Sequence, residues 1–560
     1  MADSPTDSAA DPSDDELLAL LLNDAPPSGD TPGIPLRSKA HPLELSFAQQ
    51  RLWFLQQLEP TQTAYNISAA VRLHGPLDQA HLTAALAVIV QRHEVLRTTF
   101  PQEDGTARAV LHADAIIPIE VIPTTEEQLP QHCLAASARP FDLSVAPLLR
   151  LTLLPLGPTE HGVILVMHHI VSDAWSMENL VRELGVTYAA IATGTEPTLP
   201  ALPIQYGDFA AWQRQQLDAG VRVSQLNYWR EKLANPPELD LPTDFSRPVK
   251  PDYTGDTIRF QVPAEIAQGL RTLMAATEST FFVTMLAAGH GWLSRLTRQS
   301  DVILGAPVAN RGAAELEPLM GFFVNTLALR GRLQSDMTFR DLLQAARQTA
   351  LDGFAHQDLP FEDIVRAVMP ERDGSRNPLF QVMLTADSGP AHDLSLGELG
   401  IEAIEVPTAV AKFDLTLSLQ MSGTEVAGAL EFATTLFTPA TAQRFVDQFL
   451  FGLTQFVGAP DIALDQLPRM SLEETTTLAD WGAGPTPAYP QSSIPVVFTA
   501  AAAAYPDKIA LSLGETKLTY RELDRRANQL AHVLQDHGVG ANVPVGVGLE
   551  RSVDLVVTLL

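Results

Sequence analysis

The residues best suited to chemistry are His168-His169-Ile170-Val171-Ser172-Asp173-Ala174-Trp175-Ser176. Histidine is the side chain whose ordinary pKa, about 6.5, lets it take up or return a proton near neutral pH. A lone histidine after a strand is more often a satisfied structural residue, but two adjacent ones with an acid four positions after the second shift that balance. In an extended segment the two rings point to opposite faces, so one faces a cavity while the other packs or bonds behind it. His93 and His356 read instead as packing or hydrogen-bonding residues. The single thiol, Cys133, has no local base and reads as buried and inert.

The histidine pair needs a strand to deliver it and a helix to leave by. Val163-Ile164-Leu165-Val166-Met167 is a continuous apolar run, read as an interior strand, and from Asp173 onward Leu180, Leu184, Tyr188 and Ile191 recur at helical spacing. Strand ends and helix N-termini are where α/β proteins place reacting groups, because backbone N–H groups there point outward and favour negative charge. Upstream, Ile67, Ala69, Val71 and Leu73 alternate as on a half-buried strand, Gly75-Pro76 turns the chain, and Asp78 caps a helix with Leu82, Leu86, Ile89 and Val90 on one face. A similar order returns later, with a helix over Phe281 to Leu296 and a strand Val302-Ile303-Leu304-Gly305 leading into Ala309-Asn310-Arg311-Gly312. The pattern predicts an α/β protein of two related lobes.

Composition narrows the setting. The 560 residues allow several packed lobes, and 37 Lys and Arg against 66 Asp and Glu, a formal charge of −29, argue against nucleic acid or an anionic membrane surface as partner. One cysteine excludes an internal disulfide and any cysteine zinc site. An acidic start and the absence of a long apolar run argue against a signal peptide or membrane span, so a cytoplasmic setting is expected. Residues 1–40 read as a flexible acidic tail in which Ser13-Asp14-Asp15-Glu16 and the leucines after it predict a short helix, a candidate docking segment. Trp481 to Pro487 reads as part of a linker over 471–493. Beyond it come a strand at Ile509 to Leu513, a helix bearing Leu523, Ala527, Leu530 and Leu534, a C-cap at Gly538 and a further alternation at Val543, Val545 and Val547, read as the truncated α/β start of a second domain over 494–560.

His168 to Ser176 resembles the HHxxxDG signature of nonribosomal peptide synthetase condensation domains, within the chloramphenicol-acetyltransferase-like acyltransferases. Six further stretches resemble that family's other motifs in order. They are Ser46-Phe47-Ala48-Gln49-Gln50-Arg51-Leu52-Trp53-Phe54-Leu55, Arg92 to Phe100, Tyr206 to Gln213, Gly305 to Arg311 with Gly321-Phe322-Phe323-Val324-Asn325-Thr326, His356 to Glu362, and Arg376 to Gln381. The resemblance covers about 43–470. It implies two chloramphenicol-acetyltransferase-like lobes, about 43–215 and 216–470, in a V-shaped pseudo-dimer around a tunnel. It also implies that His169 orients or deprotonates an acceptor α-amine attacking a donor thioester, that His168 and Asp173 hold the loop, and that Arg311 pairs with Asp173, with Ser176 as further support. Ala174 stands where the family usually has Gly, which costs energy only if the backbone there has φ > 0. Leu518-Thr519-Tyr520-Arg521-Glu522-Leu523 resembles the first core motif of adenylation domains, but the later motifs are missing, so ATP and Mg binding and adenylation are not expected.

By this resemblance the domain binds no cofactor itself and meets 4'-phosphopantetheine on two partners, a donor carrier arriving in trans and an acceptor carrier downstream. The motif wording favours joining two L-configured residues. A starter domain that acylates the first amino acid, an epimerisation relative and a silent recruitment platform are the alternatives, while the paired histidines argue against a heterocyclisation domain.

Overall fold

The computed structural model describes residues 33–560 except 251, 370–374, 390–395, 397–398, 405, 407–408, 486–487 and 490. The helix predicted at Ser13 to Leu22 lies outside the described residues. The chain divides into two compact units, one ending at Ser471 and one running from Leu472 to Leu560.

The strands that build the two main sheets of the first unit are β1 (Asn66–His74), β2 (Ile119–Val121), β3 (Leu149–Gly157), β4 (Glu160–His168), β5 (Gly255–Gln261), β6 (Asp301–Val308), β7 (Asn325–Arg332), β8 (Val382–Ser388), β9 (Gly400–Ile404), β10 (Leu415–Ser422) and β11 (Glu425–Ala433). They form a five-stranded sheet in the order β9-β1-β4-β3-β2 and a six-stranded sheet in the order β7-β6-β8-β10-β11-β5. The apolar run of β4 is explained by its place between β1 and β3, where both faces are covered. Four helices position the site: α1 (Phe47–Leu58), α2 (Gln79–Arg92), α3 (Ala174–Ala192) and α4 (Tyr206–Gln216). Asp78 caps α2 by accepting the N–H groups of Ala80 and His81, and Leu82, Leu86, Ile89 and Val90 are buried beneath it.

Each sheet carries its own hydrophobic core. A contiguous division at residue 216 is nevertheless incorrect, because two later segments cross over. Leu316, Leu319, Met320, Phe322 and Phe323 are buried in the first lobe's core, and β9 adds itself to the first sheet by antiparallel pairing with β1. Burying a large apolar side chain contributes about 2 kcal/mol, so five of them make the first crossing a firm seam. Such pairing between distant segments leaves no local trace in the sequence.

In the second unit, the stretch read as a linker begins with a helix, Leu472–Ala483. The strand Ile509–Leu513 and the helix Tyr520–Asp536 follow as predicted, with Gly538 at φ +86 just past the helix end, and a second strand, Thr516–Thr519, pairs with the first in a hairpin. The alternation at Val543, Val545 and Val547 does not form a strand; these valines are exposed, and no strand among the described residues pairs with them.

Candidate active site

The first sheet aims the histidines. In the pairing of β1 with β4, Asn66 stands opposite His168, the last residue of β4. The chain then leaves the sheet in a single 3-10 turn, His169–Val171, and Asp173 caps α3. The His169 N–H donates to the carbonyl of Tyr65 at 2.8 Å, which ties the turn to the segment entering β1.

The two rings face different surroundings. His168 is 1% exposed, and its Nδ1 accepts the Ile170 N–H at 3.1 Å, so the ring proton sits on Nε2. Burial, aided by the charges of Lys412 and Arg150, pushes its pKa down to about 3, which leaves a neutral ring packed edge-on to Phe141. His169 places Nδ1 3.0 Å from the Ser172 carbonyl oxygen, which can only accept. The proton is therefore on Nδ1, and Nε2 keeps its lone pair and forms no hydrogen bond among the described residues. Burial and then the Lys412 charge hold this ring well below the usual histidine range, against the Ser172 bond, which raises it. Its ring centre lies 5.0 Å from that of Phe322, on the segment that crosses from the second lobe, with the two rings tilted at 57°.

Asp173, Ser176 and Arg311 come together beneath this turn. Asp173 Oδ1 accepts the Ser176 N–H at 2.8 Å and the Ser176 hydroxyl at 2.6 Å, and Oδ2 accepts the Phe323 N–H at 3.1 Å. Arg311 donates through Nη2 to Asp173 Oδ1 at 3.1 Å and Ser176 Oγ at 3.0 Å, and through Nη1 to the Leu316 and Leu319 carbonyls at 2.5 and 2.9 Å. Both charged side chains are nearly sealed, Arg311 at 2% and Asp173 at 1% exposure. Burial lowers the Arg311 pKa while Asp173 raises it. Ala174 is the first residue of α3 and is not among the positive-φ residues, so its methyl costs nothing there.

Residues from distant motifs hold the same loop. Gln49 on α1 donates to the Ile170 carbonyl at 3.0 Å, and the Tyr206 hydroxyl meets Ser46 Oγ at 2.8 Å and donates to the Phe322 carbonyl at 2.6 Å. Gly321, at φ +155, packs so tightly that a Cβ there would lie 1.9 Å from the Tyr206 ring. His93 is buried against Glu183 at 2.8 Å, and His356 stacks on Tyr228 with ring centroids 3.8 Å apart, so neither joins the histidine pair. Gln49, Tyr206 and Gly321 lie inside motif-like stretches, yet spacing alone does not say which residue of a motif faces which. No local pattern marks Lys412.

Comparison with known proteins gives this arrangement a family. A Condensation domain family model matches residues 39–479. The chain belongs to the condensation domain family. An AMP-binding enzyme model then matches residues 498–560. The chain is 40% identical over 542 residues to a linear gramicidin synthase from Brevibacillus parabrevis, covering 94% of this chain and 10% of that protein. It is 40% identical over 568 residues to phosphinothricin tripeptide synthetase PhsC of Streptomyces viridochromogenes, covering 98% of this chain and 52% of that one. The chain thus spans a tenth to about half of these curated relatives. Among solved structures, the X-domain from teicoplanin biosynthesis in complex with OxyB aligns at TM-score 0.73 and 27% identity, over 79% of this chain and 99% of that one. The four-domain nonribosomal peptide synthetase AB3403 aligns at TM-score 0.76 and 24% identity, over 88% and 39%, and speaks to the fold. No helix among the described residues is long and apolar enough to cross a membrane.

Proposed function

We propose that this condensation domain forms an amide bond by attack of an acceptor aminoacyl amine, tethered to a carrier protein, on a donor acyl or peptidyl thioester tethered to another, in a subtype that joins two L-configured residues. The observation that carries the reading is the tautomer of His169: with Nδ1–H held by the Ser172 carbonyl, Nε2 keeps its lone pair and has no hydrogen-bond partner among the described residues. An amine hydrogen donated to Nε2 fixes the nitrogen lone pair for attack and gives the proton a place to go as the C–N bond forms. Such a group contributes about 10²–10⁴-fold, and holding both thioesters in register contributes more. His168, Asp173, Ser176 and Arg311 act by keeping the turn rigid. The phosphopantetheine arms belong to the carrier partners, and the AMP-binding start is assigned no activity.

The test is transfer between a loaded donor carrier and an aminoacyl acceptor carrier, read by intact-protein mass spectrometry with His169→Ala alongside. A mass gain on the acceptor carrier that vanishes in the variant is expected. Transfer from fatty acyl donors alone would replace the elongating role with a starter role, and no transfer from a folded protein with any donor would refute condensation.

A further inference from the structure

Outside the loop itself, the group with the clearest electrostatic reach into the site is Lys412, which none of the motifs includes. It sits on the second lobe just before β10, and its backbone is fixed from several sides: its carbonyl accepts from Asn377 at 2.9 Å, its N–H donates to the Glu431 carboxylate on β11, and the adjacent Ala411 N–H donates to the Tyr253 carbonyl at 2.8 Å. Two residues on, Asp414 is clamped by Arg247. This rigid segment presents the Lys412 ammonium across the cleft to the first lobe, 5.5 Å from the centre of the Tyr65 ring, and the Tyr65 carbonyl is the one that anchors His169. Among the described residues no carboxylate comes within ion-pair distance of that ammonium; the Glu431 carboxylate, bonded to the Lys412 backbone and to Thr416, acts on it from further off. Burial lowers the pKa of Lys412 itself, the Glu431 charge opposes that fall and the Arg51 charge adds to it. Arg51 on α1 is tied at 2.9 Å to Glu362, Arg150 on β3 acts from behind His168, both histidines are neutral, and burial holds Tyr253 in its neutral phenol form.

We propose that Lys412 is a positioning residue for the acceptor: its ammonium makes the site hostile to a second cation, so that the acceptor's α-ammonium releases its proton to water on entry and its nitrogen arrives as a free nucleophile. A nearby cation in a poorly solvated site activates an amine in this way. The free amine then attacks the thioester carbon, the C–N bond forms, the C–S bond breaks, and the nitrogen's proton passes by way of His169 to the departing thiolate, giving amide and thiol. This assigns His169 the part of hydrogen-bond acceptor and relay, which suits an imidazole held neutral, and gives the initial deprotonation to the field of Lys412.

The inference rests on the condensation reading, and one experiment separates the two. Transfer rates with an aminoacyl-pantetheine acceptor and a loaded donor carrier are measured across about pH 6 to 9 for the wild type, Lys412→Met and Lys412→Arg. In parallel, an aminooxyacyl-pantetheine acceptor supplies a nitrogen that is unprotonated throughout that range. The expected result is an acid limb displaced upward by about one pH unit in Lys412→Met, about a tenfold loss at the acid end and little at the alkaline end. Lys412→Arg should retain the wild-type profile, and the aminooxy acceptor should give the same profile with all three proteins. Superposable amine profiles, a loss uniform in pH, or a displacement that persists with the aminooxy acceptor would each overturn the role assigned to Lys412. If Lys412→Met folds poorly, Lys412→Gln gives the same neutral side chain with a polar end. A wild type that transfers to neither acceptor would overturn the condensation reading and this inference with it.

Discussion

The Asp173–Arg311 pair offers a prediction with an unusual sign. Arg311 Nη2 lies 3.1 Å from Asp173 Oδ1, between side chains 2% and 1% exposed. Asp173→Asn would leave a sealed guanidinium without its counter-charge and would turn an amide NH₂ group or its oxygen, but not both acceptors, toward Ser176 and Phe323. Arg311→Met would strand a buried carboxylate that keeps three neutral donors. Breaking a buried pair from one side costs about 3–5 kcal/mol, whereas replacing both partners is often close to neutral. The double variant is therefore expected to be more stable than either single one. With about 2.1 cal/mol/K of unfolding entropy per residue over roughly 440 residues, 1 kcal/mol corresponds to about 1 °C, so each single change should lower the melting temperature by about 3–5 °C. Scanning calorimetry on the four proteins of the cycle measures this directly. Additive losses, with the double variant the least stable, would show that the two charges do not compensate each other and would refute the reasoning.

Gly321→Ala should cost more than most single substitutions, because it combines φ +155 with a Cβ 1.9 Å from the Tyr206 ring; soluble yield, melting temperature and transfer activity should fall together. Ala174→Gly, which restores the residue usual in the family, should bring no gain in transfer rate and a stability loss of about 0.5–1 kcal/mol, since Ala174 opens α3 without positive φ. Acid should destabilise the first unit from about pH 6.5 downward through its buried histidines. His168 and His290 are both buried, with pKa values pushed down to about 3 and about 4, so below the ordinary value of about 6.5 the unfolded chain binds protons that the native state refuses. Each then removes about 1.4 kcal/mol per pH unit as pH falls from about 6.5 toward its folded value, and melting temperatures at pH 7.5 and 5.5 should converge in part when His290 is replaced by Gln.

The sequence discloses those parts of the molecule whose cause is local. The apolar run of β4, the Asp78 cap and the face of α2 follow from burial and capping over a few residues, and the structure repeats them closely. The histidine pair is legible for the same reason, since chain direction alone sends adjacent rings to different sides. What stays hidden is made by pairing across distance. Nothing near Gly400 announces that β9 will join the first lobe's sheet, and Val543, Val545 and Val547 show the reverse failure, an alternation with no strand to pair with. Lys412 was unreadable on both counts, being a lone lysine before a strand whose importance comes only from Tyr65 across the cleft.

This distribution of causes bears on how the site works. The loop of His169 is gripped by Gln49 from α1, Tyr65 from the entry to β1, and Asp173 through Arg311 and Phe323 from the crossing segment. These partners hold the turn from several sides, while among the described residues two ring nitrogens have no hydrogen-bond partner, the buried Nε2–H of His168 and the lone pair on Nε2 of His169. A side chain whose other bonds are all made has little freedom to reorient, so the direction of that lone pair is set by residues drawn from both lobes. Any relative motion of the lobes that moves the crossing segment must therefore shift Phe322 against the imidazole and Arg311 against Asp173 together. The lone pair that meets the acceptor nitrogen is thus coupled to how the two lobes are seated, which a histidine held within one lobe alone would not be.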